Sequence, residues 1–255
     1  MNLQVICTRI RRAALVAVLV GAMAPLAAAG VVAYATGFEQ SEGYVPGGLN
    51  GQQGWTASPL TGECVVQSAT VADGAQAVQI IPDGGYNGSW HLGAEHGFAD
   101  PTGANPIVEI EQFVRITRKN EAMYGIFTGD ATKLAAVMQF KWNGSILVNG
   151  ISVGATWATD LWVPAKMVLD FNTGLVEAYY NGTKITSSPI PFYNTGAGLD
   201  RVKVLTDDYV SVGSSMFYDG LKVTATPEPA TLLLLAVGAA GLVAGRRRRA
   251  GQAAR

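Results

Sequence analysis

Trp162-Val163-Pro164-Ala165-Lys166-Met167-Val168-Leu169-Asp170-Phe171, followed closely by Val176-Glu177-Ala178-Tyr179-Tyr180-Asn181-Gly182, decides the fold class. In the first run Met167, Leu169 and Phe171 alternate with Lys166 and Asp170, the period of two that a half-buried strand requires. The second run ends in Asn-Gly, which accepts positive φ at both central positions of a tight hairpin turn. Two strands joined edge to edge are therefore expected here.

The same signals recur along the chain. Asn-Gly stands at 50–51, 87–88, 143–144, 149–150 and 181–182, and Asp-Gly at 73–74, 83–84 and 219–220. Between them lie β-rich runs at 65–71, 75–81, 107–117, 123–128, 135–142, 145–148, 166–171, 175–180, 202–205 and 216–224. In the third of these, Val108, Ile110, Val114 and Ile116 share one face while Glu109, Glu111, Arg115 and Thr117 share the other. No stretch of the body makes a convincing amphipathic helix, so the expectation is about ten antiparallel strands in two packed sheets.

The two ends of the 255-residue chain differ from this body. Arg9, Arg11 and Arg12 precede an apolar run from Ala13 to Ala24, and Ala27-Ala28-Ala29 follows Pro25, the pattern of a secretory signal peptide over residues 1–29. Cleavage after Ala29 is expected to leave Gly30 as the mature start; Ala33-Tyr34-Ala35 offers a second site that would leave Thr36. At the other end Pro227-Glu228-Pro229 is followed by an uncharged apolar stretch, Ala230 to Gly245, and by Arg246 to Arg249. As a transmembrane helix that stretch would span roughly 24 Å against a ~30 Å hydrocarbon core, a marginal anchor. Its arginines belong on the cytoplasmic side, which places the body across the membrane.

Pro-Glu-Pro, a leucine-rich helix and a closing arginine cluster together resemble the PEP-CTERM tail of Gram-negative bacteria. The resemblance covers residues 225–250 and implies sorting by a membrane-embedded, exosortase-type processing protease that reads Pro227, Glu228 and Pro229. It implies a transient inner-membrane intermediate with a periplasmic body, then delivery to the cell surface or the extracellular space. Two prolines hold the chain extended, as a recognition peptide in an enzyme groove needs.

Residues 30–224 resemble the concanavalin A-like, LamG-type jelly rolls. The likeness rests on Gly37-Phe38-Glu39 with Gly47-Gly48-Leu49-Asn50-Gly51-Gln52-Gln53-Gly54-Trp55 near the start, the Trp162–Gly182 region, and Met216-Phe217-Tyr218-Asp219-Gly220-Leu221-Lys222-Val223 near the end. Such domains bind glycans, serve as structural parts of an exopolysaccharide matrix, or hydrolyse glycosides. The laminarinase-like pattern Glu-x-Asp-x-x-Glu is missing at Glu109-Ile110-Glu111, where Glu111 replaces the Asp and Val114 stands where the second Glu should be. The expectation is a non-enzymatic body, either glycan-binding or adhesion-like and facing extracellular polysaccharide, or a structural part of that matrix with no discrete ligand.

Charge narrows the partners. Eight of the 18 basic residues lie in the two ends, so the body carries 10 Lys and Arg against 18 Asp and Glu, a net of −8, which argues against nucleic acid. Cys64 is the sole cysteine left once the leader is removed, and its setting, Cys64-Val65-Val66, reads as a buried strand thiol. Candidate sugar-stacking aromatics are Trp90 and Tyr86 foremost, beside Trp55, Trp142, Trp157, Trp162, Tyr193 and Tyr209. His91, Glu95 and His96 supply zinc-ligand types in a Gly-rich stretch read as a loop, without helical His-x-x-x-His spacing. Calcium suits the loop acids Asp83, Asp100, Asp200, Asp207 and Asp208 better than zinc suits the histidines, as the resembled fold often holds that ion at one rim. No dense Asp-x-Asp-x-Asp loop exists to fix ligands, however, and solvated turn acids are the first reading.

Overall fold

The computed structural model describes residues 30–57, 64–82, 90–119, 123–207 and 213–226. Its first strands are β1 (Val31–Thr36), β2 (Gly47–Gly48), β3 (Trp55–Ala57), β4 (Cys64–Gln67), β5 (Ala77–Ile80), β6 (Trp90–Gly97), β7 (Ile107–Ile116), β8 (Tyr124–Gly129) and β9 (Leu134–Phe140). They are followed by β10 (Ser145–Val148), β11 (Ile151–Thr156), β12 (Val163–Asp170), β13 (Leu175–Tyr180), β14 (Thr183–Lys184), β15 (Ile190–Pro191), β16 (Arg201–Asp207) and β17 (Met216–Thr226). The leader, Tyr86, Asp83, Asp208, Tyr209 and the whole of 227–255 lie outside the described residues.

Two antiparallel sheets form a jelly-roll sandwich. One runs β14-β13-β12-β7-β17-β5-β4-β2, with β1 also on β17 and β15 on β13; the other runs β11-β10-β9-β8-β16-β6-β3. Their inner faces make one apolar cluster, to which Val108, Ile110, Val114, Met167, Leu169, Val176 and Val223 come from the first sheet. Ile126, Met138, Phe140, Ile146, Val202 and Val204 come from the second. The alternation in β7 and β12 holds as read, with one addition: Gln112 joins the inner row, almost wholly buried. Cys64 is buried in the core face of β4.

Turn chemistry explains the connections. Asn149-Gly150 and Asn181-Gly182 both take positive φ at both positions and close two-residue hairpins between β10 and β11 and between β13 and β14. Asp219-Gly220 behaves differently from its hairpin reading. It is a bulge inside β17, where Asp219 pairs with Phe113 and Lys222 with Glu111, one residue more than on β7. Gly220 supplies the positive φ that the bulge needs. The extra residue shifts parity, so that Tyr218 points inward before it and Leu221 after it. Asp219 is carried under the 68–76 loop, where its Oδ2 accepts the backbone N–H of Ala72 (2.9 Å) and Asp73 (3.0 Å) and its Oδ1 that of Gly220 (2.7 Å).

The Gly-rich stretch around His91 is not a loop. It is strand β6, paired with β16 on one side and β3 on the other. Gly93 is there because β16 passes too close for a side chain: a Cβ on it would stand 1.9 Å from the carbonyl oxygen of Val204. Strands at β1, β3 and β11 are likewise additions to the expected runs.

Candidate functional site

The outer face of the seven-stranded sheet is built from residues that alternate with the core. With Val202, Val204 and Thr206 of β16 turned inward, Arg201, Lys203 and Leu205 turn out. Register then sets their neighbours. Leu205 stands between Gly93 of β6 and Gly125 of β8, Lys203 between Glu95 and Phe127, and Arg201 between Gly97 and Gly129. The rows continue onto β9, where Gln139 pairs with Gly125 and Val137 with Phe127. Gly125 leaves room for the Phe127 ring to lie over it; a Cβ there would meet Phe127 Cε2 at 2.4 Å.

Over these rows lies a cleft of about 350 Å³, floored by Phe127, Val137 and Leu205 and edged by Gln139 and Lys203. The Asp130–Leu134 turn and Tyr193 wall one end. Asp130 makes that wall rigid. Its Oδ1 accepts from Thr132 N (2.7 Å), Thr132 Oγ1 (2.8 Å) and Lys133 N (2.8 Å), and its Oδ2 from Gly198 N (2.8 Å). These donors, the Gly198 amide first, hold its carboxyl well below the usual carboxylate range. Lys133 Nζ donates to the carbonyls of Thr195 (3.1 Å) and Gly196 (3.4 Å), tying the turn to the segment that carries Tyr193. Tyr193 N donates to Ala135 O at 2.9 Å, yet its side chain stands 53% exposed.

Charge on this face is paired across strands. Lys203 Nζ is 2.8 Å from Glu95 Oε2, Arg201 Nη1 is 3.6 Å from Glu95 Oε1, and Arg201 Nε donates to Asp200 Oδ1 at 2.9 Å. The Asp200 carboxylate pushes the Arg201 guanidinium further up. An apolar floor with an exposed phenol, an amide and an ammonium at its edges can hold a flat ring with a polar rim, by stacking and by hydrogen bonds.

The residues singled out in the sequence distribute unevenly over this frame. Trp90 opens β6, the strand that carries Glu95, and pairs with Asp207; its side chain and Tyr86 lie outside the described residues. Trp55 and Trp157 are core residues at 2% and 1% exposure, their Nε1 atoms donating to Tyr44 Oη (3.0 Å) and Lys141 O (2.8 Å). Trp142 is 49% exposed in the β9–β10 turn, and Trp162 packs edge-on against Phe217 on the outer face of the ten-stranded sheet. Of the candidate aromatics, the cleft takes Tyr193.

Glu95 and His96 occupy opposite faces of β6. Glu95 is in its ion pairs, whereas His96 stacks on Tyr34 at 4.0 Å with Nε2 3.1 Å from Gln53 O, so the two cannot share an ion. Asp200 is engaged by Arg201, and Asp100 Oδ1 accepts from Thr102 N. Among the described residues no three acidic, histidine or cysteine side chains converge as a metal centre. Glu109 faces Lys166 at 3.5 Å and Glu111 is exposed beside it, a solvated outer face. Phe127, Val137, Gln139, Lys203 and Leu205 were missed because they fall in three separate runs, and only pairing gathers them.

Comparison with known proteins addresses the tail and the body separately. Residues 225–249 match the model of the PEP-CTERM protein-sorting motif. The chain carries a PEP-CTERM sorting tail. The motif marks an exported protein sorted through a membrane-anchored stage, and implies processing by an exosortase. Among the described residues no helix is long and apolar enough to cross a membrane; the 230–245 stretch lies outside them.

The PEP-CTERM body is similar in fold to the endo-β-1,4-glucuronan lyase of the fungus Trichoderma reesei, with a TM-score of 0.50 and 13% identity, covering 71% of this chain and 94% of that one. It is similar too to the cellulose-induced protein Cip1, with a TM-score of 0.50 and 12% identity over 76% of this chain and 97% of that one. A sialidase matches over 68% of this chain at a TM-score of 0.50 and 12% identity, but only 17% of that protein's length is spanned. At such identities the likeness shows the jelly-roll fold alone. Comparison with curated protein sequences finds no match.

Proposed function

We propose that this PEP-CTERM protein displays a non-catalytic, polysaccharide-binding jelly roll at the cell surface or in the extracellular matrix, with the outer face of the seven-stranded sheet as its binding surface. The observation that carries the reading is the cleft over Phe127, Val137 and Leu205, with Gln139 and Lys203 at its edge and an exposed Tyr193 at one end. Tyr193 offers a stacking face held by a rigid turn, while Gln139 and Lys203 supply donors for hydroxyl or carboxylate groups of a sugar chain. Binding is favoured over catalysis because the carboxylates of this face are already engaged. Glu95 is shared by Lys203 and Arg201, and Asp130 accepts four hydrogen bonds, which makes it a weak base.

A glycan array probed with residues 30–226, a compact unit, tests this reading. Retention of one or more polysaccharides, lost about tenfold in affinity in Tyr193→Ala and in Lys203→Ala at unchanged melting temperature, is expected. A body that retains no glycan would refute the binding reading and leave a structural matrix role.

A further inference from the structure

The sorting tail begins inside the folded body. Its match starts at residue 225, whereas β17 continues to Thr226. Ala225 is fully buried and pairs with Val31 on one side and Val108 on the other; Thr226 pairs with Ile107 and donates its hydroxyl to Ile107 O at 3.4 Å. Pro227 follows Thr226 directly in the chain. A chain advances at most ~3.6 Å per residue, so Pro229 can stand no more than roughly 11 Å from Thr226. Any enzyme that seats Pro227-Glu228-Pro229 in a groove must come up against the corner where β17 ends.

That corner is apolar and open. β1 starts there, with Gly30 pressed so close to β17 that a Cβ would meet Thr224 Cγ2 at 2.5 Å. Val31 and Val32 follow at 56% and 50% exposure. Among the described residues β1 pairs with β17 alone, so its far edge is unpaired. Exposed valines on an unpaired edge strand are a liability unless something covers them. Resting on the reading of Pro227–Pro229 as a processing motif, we propose that the β1 edge at Val31 and Val32 is a docking surface for the tail-processing membrane protease, which thus recognises the folded body together with the motif. A tether of three residues brings the protease to this corner, and the apolar character of the β1 edge favours contact there.

The test follows tail removal by pulse-chase immunoblotting of the full-length chain in its native host. V31T/V32T keeps the β-branched shape while removing the apolar surface, and V31I/V32I keeps both. A linker variant carries about twelve Gly and Ser residues between Thr226 and Pro227, a mean reach of about 20 Å. V31T/V32T is expected to slow tail removal about tenfold, the effect of losing a small apolar hot spot, with V31I/V32I at the wild-type rate. In the linker background V31T/V32T should have no further effect, because body and motif no longer arrive together. Intact mass confirms that leader removal leaves the same amino terminus in every variant, and the melting temperature of the mature body confirms folding. Wild-type rates in V31T/V32T, or faster processing in the linker variant, would overturn the proposal, the latter by making the body an obstacle. If the wild type itself is never shortened, the processing reading fails, and that result is distinct because it does not depend on Val31 or Val32.

Discussion

Replacing Asp219 by Ala should cost this domain about 3 kcal/mol, and the structure says why. The carboxylate is 1% exposed and is the acceptor for three backbone N–H groups, at Ala72, Asp73 and Gly220. Its removal leaves these three N–H groups without their acceptor, at about 1 kcal/mol each at the low end, or about 3 kcal/mol in all. That loss corresponds to a fall of about 6–12 °C in a body of this size. Burial, more than the three amides offset, pushes the Asp219 carboxyl above its ordinary value. Asp219→Asn keeps one acceptor oxygen and should lose about half as much. Because the folded-state carboxyl is raised, its contribution is full below the unfolded value of 3.8 and is lost as pH rises through the folded value, so the gap between wild type and Asn should widen as pH falls from 7 toward 4. Thermal unfolding of residues 30–226, followed by near-ultraviolet circular dichroism, measures all three proteins. A melting temperature for Asp219→Ala within 2 °C of wild type, on the order of 1 kcal/mol or less, would refute the view that this side chain pins the 68–76 loop to β17.

Gly93→Ala places a methyl group against the backbone of Val204 and Leu205, which cannot swing aside as a side chain would, so a loss of about 3 kcal/mol is expected in denaturant unfolding; a loss under about 1 kcal/mol would mean that β6 and β16 separate easily. Desolvation holds His96 below its ordinary value of 6.5, so the stability present above that pH should be lost as pH falls through the folded-state value. Melting curves from pH 7.5 to 5 should show that decline in wild type and a flatter profile in His96→Phe, and equal slopes would count against it. The mature chain should begin at Gly30, because a start at Thr36 deletes β1 and with it Tyr34, which stacks on His96 and accepts a hydrogen bond from Trp55 Nε1 at 3.2 Å. Intact mass of the secreted product decides between the two.

What the sequence determined by itself is what depends on near neighbours. Period-two alternation in Val108–Ile116 and Val163–Asp170 is a local property of a pleated chain, and so is the turn chemistry of Asn149-Gly150 and Asn181-Gly182; both read correctly without knowledge of any partner strand. The tail was legible for the same reason, since Pro-Glu-Pro, an apolar stretch and four arginines are contiguous. Glycine misled where its role was set from across the sheet. Gly93 looked like loop but is a strand residue under the Val204 carbonyl, and Gly220 looked like a hairpin but forms a bulge that redirects Asp219. The candidate cleft was beyond sequence reasoning altogether. Its residues come from β8, β9, β16 and the Tyr193 segment, and long-range pairing alone puts Lys203 beside Phe127 and Val137. That pairing is a tertiary decision: each outward side chain reads in sequence as one more polar or apolar alternate, and becomes part of a surface only when core burial fixes which strands lie side by side and in what register.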